Sequence, residues 1–307
     1  MTIRADSKTS ASCASEADNS MLVAQRSTHR IRPFRLHHPK TAEEAVKLHA
    51  RSPGAAAYMG GGTDLMAALK AGACIEDVIH LGSLPDCTSI AESEEAISIG
   101  PGVTHQILAD SRQVRAAHPS LCDVWSKVAN NRVRIKATVA GNLMARNQSY
   151  DFPIVAIAVG AQLEFLDSEL ALRRLPAHRS AELPQHALLI RITLPRARWL
   201  AVAVQLQWKP ITSFALSFRR EHGAIMGCLA VGCGFGAVAF SKIFLERCLF
   251  DNRRRETAVD ITEQLCAPLP SPKSDWHASA EYRRHLLKVL VRREIERIRV
   301  AGPNHEG

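Results

Sequence analysis

Three consecutive glycines, Gly60-Gly61-Gly62, followed by Thr63-Asp64-Leu65, are the strongest local chemical signal in the chain. Glycine tolerates positive φ and has no Cβ, so successive amides can point into one concavity and bind a phosphate closely. A helix beginning at Asp64 would add partial positive charge at its N-terminus. The same glycines also suit a tight turn with no ligand, and Asp64 alone also suits a first-turn acid. A second stretch, Thr138-Val139-Ala140-Gly141-Asn142-Leu143, reads as a small-residue turn carrying a hydroxyl and an amide. Two such turns in one domain give a long dinucleotide several anchoring points. A dinucleotide loop of the G-x-G-x-x-G kind is absent, because its last glycine would fall on Leu65. G-x-x-x-x-G-K-[ST] is missing too, so phosphoryl transfer has no support. No Ser, Cys or Lys has a base placed beside it, so no catalytic side chain is named.

The elements that must position these residues are short. Thr41 to Glu44 reads as a capping box before a helix that stops ahead of Pro53. Ala55 to Met59 is an apolar strand leading into the glycines, and Gly72 ends the helix after them. Further strands are expected at 78–81 and 96–99, with Thr104 capping the next helix. Leu121, Val124, Trp125 and Val128 share one helical face. Asp151-Phe152-Pro153 opens an apolar helix that Gly160 stops. Strands at 163–166 and 188–194 lead to Pro195. Beyond it, strand-like runs near 201–208 and 225–233 precede a helix over about 279–300, with Leu286, Leu287, Leu290, Ile295 and Ile298 on its apolar side. Short strands mixed with short helices indicate α+β architecture, not a regular βαβ repeat.

With 307 residues, 46% of them apolar and 22% charged, the chain has room for two domains and is not broadly disordered. Residues 1–30 lack an apolar stretch and read as a mobile tail without a secretory signal. No 18-residue run is free of charge and turn signals, so a soluble, cytoplasmic protein is expected. The eight cysteines are scattered and form no C-x-x-C, which suits buried thiols better than a zinc or iron–sulfur site. The thirteen histidines show no metal-ligand spacing, and His37-His38 read as surface residues. The net charge is +9. Arg283, Arg284, Lys288, Arg292, Arg293, Arg297 and Arg299 lie on the last helix among Glu281, Glu294 and Glu296, as on a solvated or partner-facing surface. No nucleic-acid motif accompanies them.

Taken together, 58–65 (Tyr-Met-Gly-Gly-Gly-Thr-Asp-Leu) resembles the first flavin-binding stretch of the FAD-binding medium subunit of molybdenum hydroxylases, the family of carbon monoxide and xanthine dehydrogenases. Thr138 to Leu143 is similar to the second stretch, normally Thr-Ile-Gly-Gly-Asn-Ile. The opening Phe34-Arg35-Leu36-His37, the intervening Ile99 to Thr104, and Ala278 to Arg284 also resemble that family, over roughly 31–300. The resemblance implies a two-subdomain FAD-binding fold of the vanillyl-alcohol-oxidase/PCMH type at 31–195, divided near 83, then a smaller α+β C-terminal domain at 196–300 and a tail at 301–307. It implies non-covalent FAD as cofactor. Molybdopterin would belong to a large partner subunit and [2Fe–2S] clusters to a small one, with electrons leaving the flavin for NAD+, a quinone or another acceptor. By the same resemblance, Gly60, Gly61, Gly62, Thr63, Asp64 and Leu65 wrap the diphosphate and the flavin edge. Thr138, Gly141, Asn142 and Asp151 hold the diphosphate and ribityl chain, and Ile190 and Lys209 match positions near the ring. Two departures stand out. Ala140 replaces the first glycine of the usual pair, at a cost of about 1 kcal/mol if that residue needs positive φ. Residues 232–274 match poorly. A non-catalytic assembly module of the same fold with a decayed flavin site is therefore the alternative.

Overall fold

The computed structural model describes residues 31–147, 150–184, 186–196, 198–205, 211–221, 224–235, 239–245 and 257–301. It begins with β1 (Arg35–His37), α1 (Ala42–Arg51), β2 (Ala56–Met59), α2 (Thr63–Lys70) and β3 (Asp77–His80). The three strands form a parallel sheet in the order β1-β3-β2. Within the expected α+β architecture, β2-α2-β3 is a single βαβ unit, so the glycine turn lies at the carboxyl end of a parallel strand. Asp77, buried at the start of β3, holds this sheet to its surroundings. Its carboxylate accepts two bonds from Arg35 and one from Ser52, and meets the His37 ring, each at 2.7 Å. These partners hold its pKa below the ordinary carboxylate range.

A longer unit follows: β4 (Ile90–Glu92), β5 (Ala96–Ile99), α3 (His105–Asp110), α4 (Arg112–Ala117), α5 (Pro119–Lys127), α6 (Asn131–Arg134), α7 (Val139–Met144), α8 (Asp151–Ala158), β6 (Gln162–Leu166), β7 (Leu172–Pro176) and β8 (Leu188–Pro195). Its strands make an antiparallel sheet in the order β4-β5-β8-β6-β7. Local caps define the helix starts. Thr104 accepts from the Ile107 N–H as expected. Thr41 accepts from the Glu44 N–H, but the Glu44 carboxylate takes the Lys40 N–H, one residue ahead of the reciprocal bond a capping box requires. On α5 and at its C-cap, Leu121, Val124, Trp125 and Val128 are all buried, as their spacing predicts. Helix α8 is apolar all round, and every residue from Phe152 to Ala158 is buried.

The remaining strands, β9 (Arg198–Gln205), β10 (Phe214–Glu221), β11 (Ala224–Val231) and β12 (Ala239–Leu245), form an antiparallel sheet ordered β12-β11-β10-β9. Helices α9 (Ala258–Cys266) and α10 (Ala280–Ala301) cover one face. Phe214, Leu216, Phe218, Leu229 and Val231 meet Ile261 and Leu265 of α9 and Leu287, Val291, Ile295 and Ile298 of α10. The alternate residues Ala215 and Ala230 share a core with α8, and the Ser217 hydroxyl donates to the Ala158 carbonyl at 2.6 Å. One expectation for α10 is overturned. Arg283 is not on a solvated face but 1% exposed, paired with Asp275 at 2.6 Å and donating to the Ile211 carbonyl. The cysteine reading holds for Cys87, Cys122 and Cys266, which are buried; Cys228 and Cys233 are partly buried and Cys74 is exposed.

Candidate functional site

The two stretches singled out by sequence lie against each other. Strand β2 delivers Gly60 and Gly61 to the segment 136–138, which crosses beside them before entering α7. A Cβ built on Gly61 would sit 1.6 Å from the Lys136 carbonyl oxygen, and one on Gly60 would sit 2.8 Å from Thr138 Oγ1. Gly61 is thus required by the approach of two backbones, whatever else the turn does. Gly62 has φ +74° and ψ 1°, the left-handed region that glycine occupies without strain. It is also the N-cap of α2, and without a side chain it leaves the first-turn amides uncapped.

Thr138 to Leu143 is not the turn expected from its small residues. Thr138 caps α7, and its Oγ1 accepts from the Gly141 N–H at 3.0 Å. The segment is anchored from behind, because the His105 N–H donates to the Ala137 carbonyl and the Val139 N–H to the Val103 carbonyl. Ala140 lies inside the first turn of α7 and is not among the residues with positive φ, so its methyl carries no backbone strain. In the same turn, Asn142 Oδ1 is buried with no hydrogen-bond partner among the described residues. A buried orphan acceptor is costly, and a hydroxyl-bearing ligand would satisfy it.

The third part of the site comes from the start of α8. Asp151 is the first residue of that helix, and burial pushes its carboxyl up to about 7. Near neutrality it is therefore divided between a form that accepts hydrogen bonds and one that also donates. Directly before it, Tyr150 donates its hydroxyl to Asp64 Oδ1 at 2.7 Å. This contact brings the Asp64 and Asp151 segments to one rim. Sequence reading missed Tyr150; the only signal was a large phenol beside an assigned acid. Thr63 and Asp64 are exposed at the head of α2, and Leu65 is half-buried. Ile190 lies on β8, packed with Tyr58 against the core that underlies β2. Tyr58 stacks on His49 with centroids 4.5 Å apart and donates to the His186 carbonyl at 3.3 Å. Lys209 lies outside the described residues.

Residues 60–65, the α7 start and Asp151 fit an extended diphosphate-bearing ligand: uncapped amides for anionic oxygens, and an orphan amide and a titratable carboxyl for hydroxyls. Among the described residues, no group of three or more His, Cys, Asp or Glu side chains is placed to hold a metal ion. No helix among them is long and apolar enough to cross a membrane.

Comparison with known proteins gives this geometry a context. The carbon monoxide dehydrogenase medium chain of Afipia carboxidovorans is 25% identical over 286 residues, 88% of this chain and 98% of that one. The xanthine dehydrogenase FAD-binding subunit of Escherichia coli O157:H7 is 24% identical over 292 residues, 87% of this chain and 96% of that one. Among solved structures, quinoline 2-oxidoreductase from Pseudomonas putida 86 superposes with a TM-score of 0.76 at 20% identity, covering 89% of this chain and 99% of that chain. The mixed α+β architecture is that of the PCMH-type FAD-binding fold. Residues 32–197, over half of the chain, match the model of the FAD binding domain in molybdopterin dehydrogenase, and the chain belongs to that family.

Proposed function

We propose that this chain is the FAD-binding subunit of a molybdenum hydroxylase. In this reading it holds FAD non-covalently and passes electrons from the [2Fe–2S] clusters of a small partner subunit to NAD+, a quinone or another acceptor. A large partner subunit carries the molybdopterin and selects the substrate. The observation that carries the reading is the joining of the two glycine-bearing stretches, 60–62 and 138–141, into one cradle that also contains the orphan acceptor of Asn142.

FAD, when bound, supplies an isoalloxazine able to take up and release electrons. The protein's part is to bind, orient and shield. The amides after Gly61 and at the head of α2 hold the diphosphate, with Thr63, Asp64 and Leu65 beside them. Thr138 shapes the second wall by fixing Gly141, while Asn142 and Asp151 take the ribityl hydroxyls. Ile190 and Lys209 are assigned to the neighbourhood of the ring. Residues 31–195, with subdomains at about 31–83 and 84–195, are assigned to FAD binding. Residues 196–300 are assigned to the C-terminal domain, and the complex to the cytoplasm. The decayed-site alternative loses its main support at Ala140, whose right-handed helical backbone accommodates alanine.

Purification of the full chain tests the assignment. Yellow protein with flavin absorption bands, releasing FAD on denaturation and co-purifying with a molybdopterin subunit and an iron–sulfur subunit, is the expected result. Colourless protein that takes up no added FAD would overturn it.

A further inference from the structure

Tyr150 belongs to no motif, yet its phenol bridges two walls of the site. As the N-cap residue of α8 it stands directly before Asp151, and its hydroxyl donates to Asp64 Oδ1 across 86 positions of sequence. Asp64 is in the first turn of α2, two residues past Gly62. The bond therefore ties the chain leaving the glycine turn to the chain that delivers Asp151.

Tyr150 is itself held in place. Its N–H donates to the Asn147 carbonyl at 3.0 Å, and the Asn147 side chain hydrogen-bonds to the phenol. Upstream, Arg146 adopts left-handed φ of 53° and donates to the Leu183 carbonyl, which turns the chain after α7. Burial, and then the Asp64 carboxylate, keep the phenol protonated well beyond its ordinary range, so it remains a donor. Asp64, by contrast, is exposed, and no other group among the described residues bonds its carboxylate.

We propose that Tyr150 is a positioning residue, whose hydrogen bond to Asp64 clasps the head of α2 to the α7–α8 connection and sets the spacing on which FAD retention depends. This rests on the assignment of FAD to the site. The clasp acts through Asp64, so the two side chains must behave as one unit.

The test measures FAD affinity of the full chain by equilibrium dialysis for wild type, Tyr150→Phe, Asp64→Ala, Asp64→Asn and the Tyr150→Phe/Asp64→Ala double variant. Loss of a hydrogen bond to a charged acceptor predicts about tenfold weaker FAD binding for Tyr150→Phe. Asp64→Asn keeps an acceptor oxygen and should bind more tightly than Asp64→Ala. The double variant should be no weaker than the weaker single variant. Equal affinity of Tyr150→Phe and wild type would overturn the clasp, and so would fully additive losses, which would mean that the phenol acts without Asp64. Asp64 is exposed, so its variants probe the same bond even where Tyr150→Phe fails to fold. Wild-type chain that takes up no FAD would instead overturn the flavin assignment itself.

Discussion

Asp151 places a carboxyl at the head of an apolar helix, where desolvation favours the neutral form and moves its titration to about 7. Its unfolded value is near 3.8. A carboxyl raised on folding contributes its full stability below the unfolded value, and that contribution is lost as pH rises through the folded one. Between pH 4 and 8 the FAD-free chain should lose up to about 4 kcal/mol from this group alone. Buried His105 slopes the other way. Its pKa is pushed down to about 4, chiefly by burial and then by Arg134, so it destabilises the fold as pH falls from 6.5. Comparing wild type with Asp151→Asn cancels the histidine contribution. In urea titrations of FAD-free protein the variant should be more stable by a few kcal/mol at pH 8 and nearly equal at pH 4; a constant difference would refute the assignment. Asp151 was visible as a candidate because it stands nine positions after Asn142 in a recognisable pattern. Tyr150 was not, because its role depends on a partner in another element and no local spacing encodes that contact.

At the scale of elements, the site is a contact between a strand-to-helix turn and a helix cap. Gly61→Ala would drive a methyl into the Lys136 carbonyl, a backbone group that cannot rotate away. Separating the two segments should cost about 1–3 kcal/mol and abolish FAD uptake. Gly72→Ala is the control. Gly72 has φ +98° but open space around it, so it should cost about 1 kcal/mol and leave FAD uptake intact. Thermal unfolding and FAD titration of the two variants separate close approach from backbone strain; equal FAD uptake by both would defeat the argument. The parallel βαβ unit could be read as separate strands and helices, because each piece has its own cap, glycine stop or apolar run. The α7 start was misread as a turn, since a capping threonine three residues before glycine looks the same in either conformation. Five strands were passed over: β1 and β4 span only three residues each, and the other three escaped for different reasons. β7 is largely exposed and carries two arginines, so it lacks alternation. β10 is buried on both faces, which hides the period of two behind small residues. β12 falls within 232–274, the stretch that matches the family pattern poorly.

At the scale of the whole molecule, the family match ends at 197, but the core does not. Length and composition allowed two domains and could not reveal how far their packing is shared. Helix α8 has no polar face, and a helix apolar all round must be covered on every side. The β4–β8 unit supplies part of that cover. Ala215 and Ala230 of the last sheet join the same core, and Ser217 satisfies the Ala158 carbonyl at the end of α8. Cutting the chain at 197 removes those contacts while leaving every glycine, cap and acid of the proposed FAD site in place. The fragment 31–197 should therefore bind ANS strongly, aggregate, and fail to retain FAD, although it contains the whole family-matched segment. The full chain under the same conditions should be soluble and unfold cooperatively. A soluble fragment with a sharp unfolding transition and full FAD affinity would mean that α8 can cover itself, and that the C-terminal sheet is an addition to the flavin domain instead of a wall of its core.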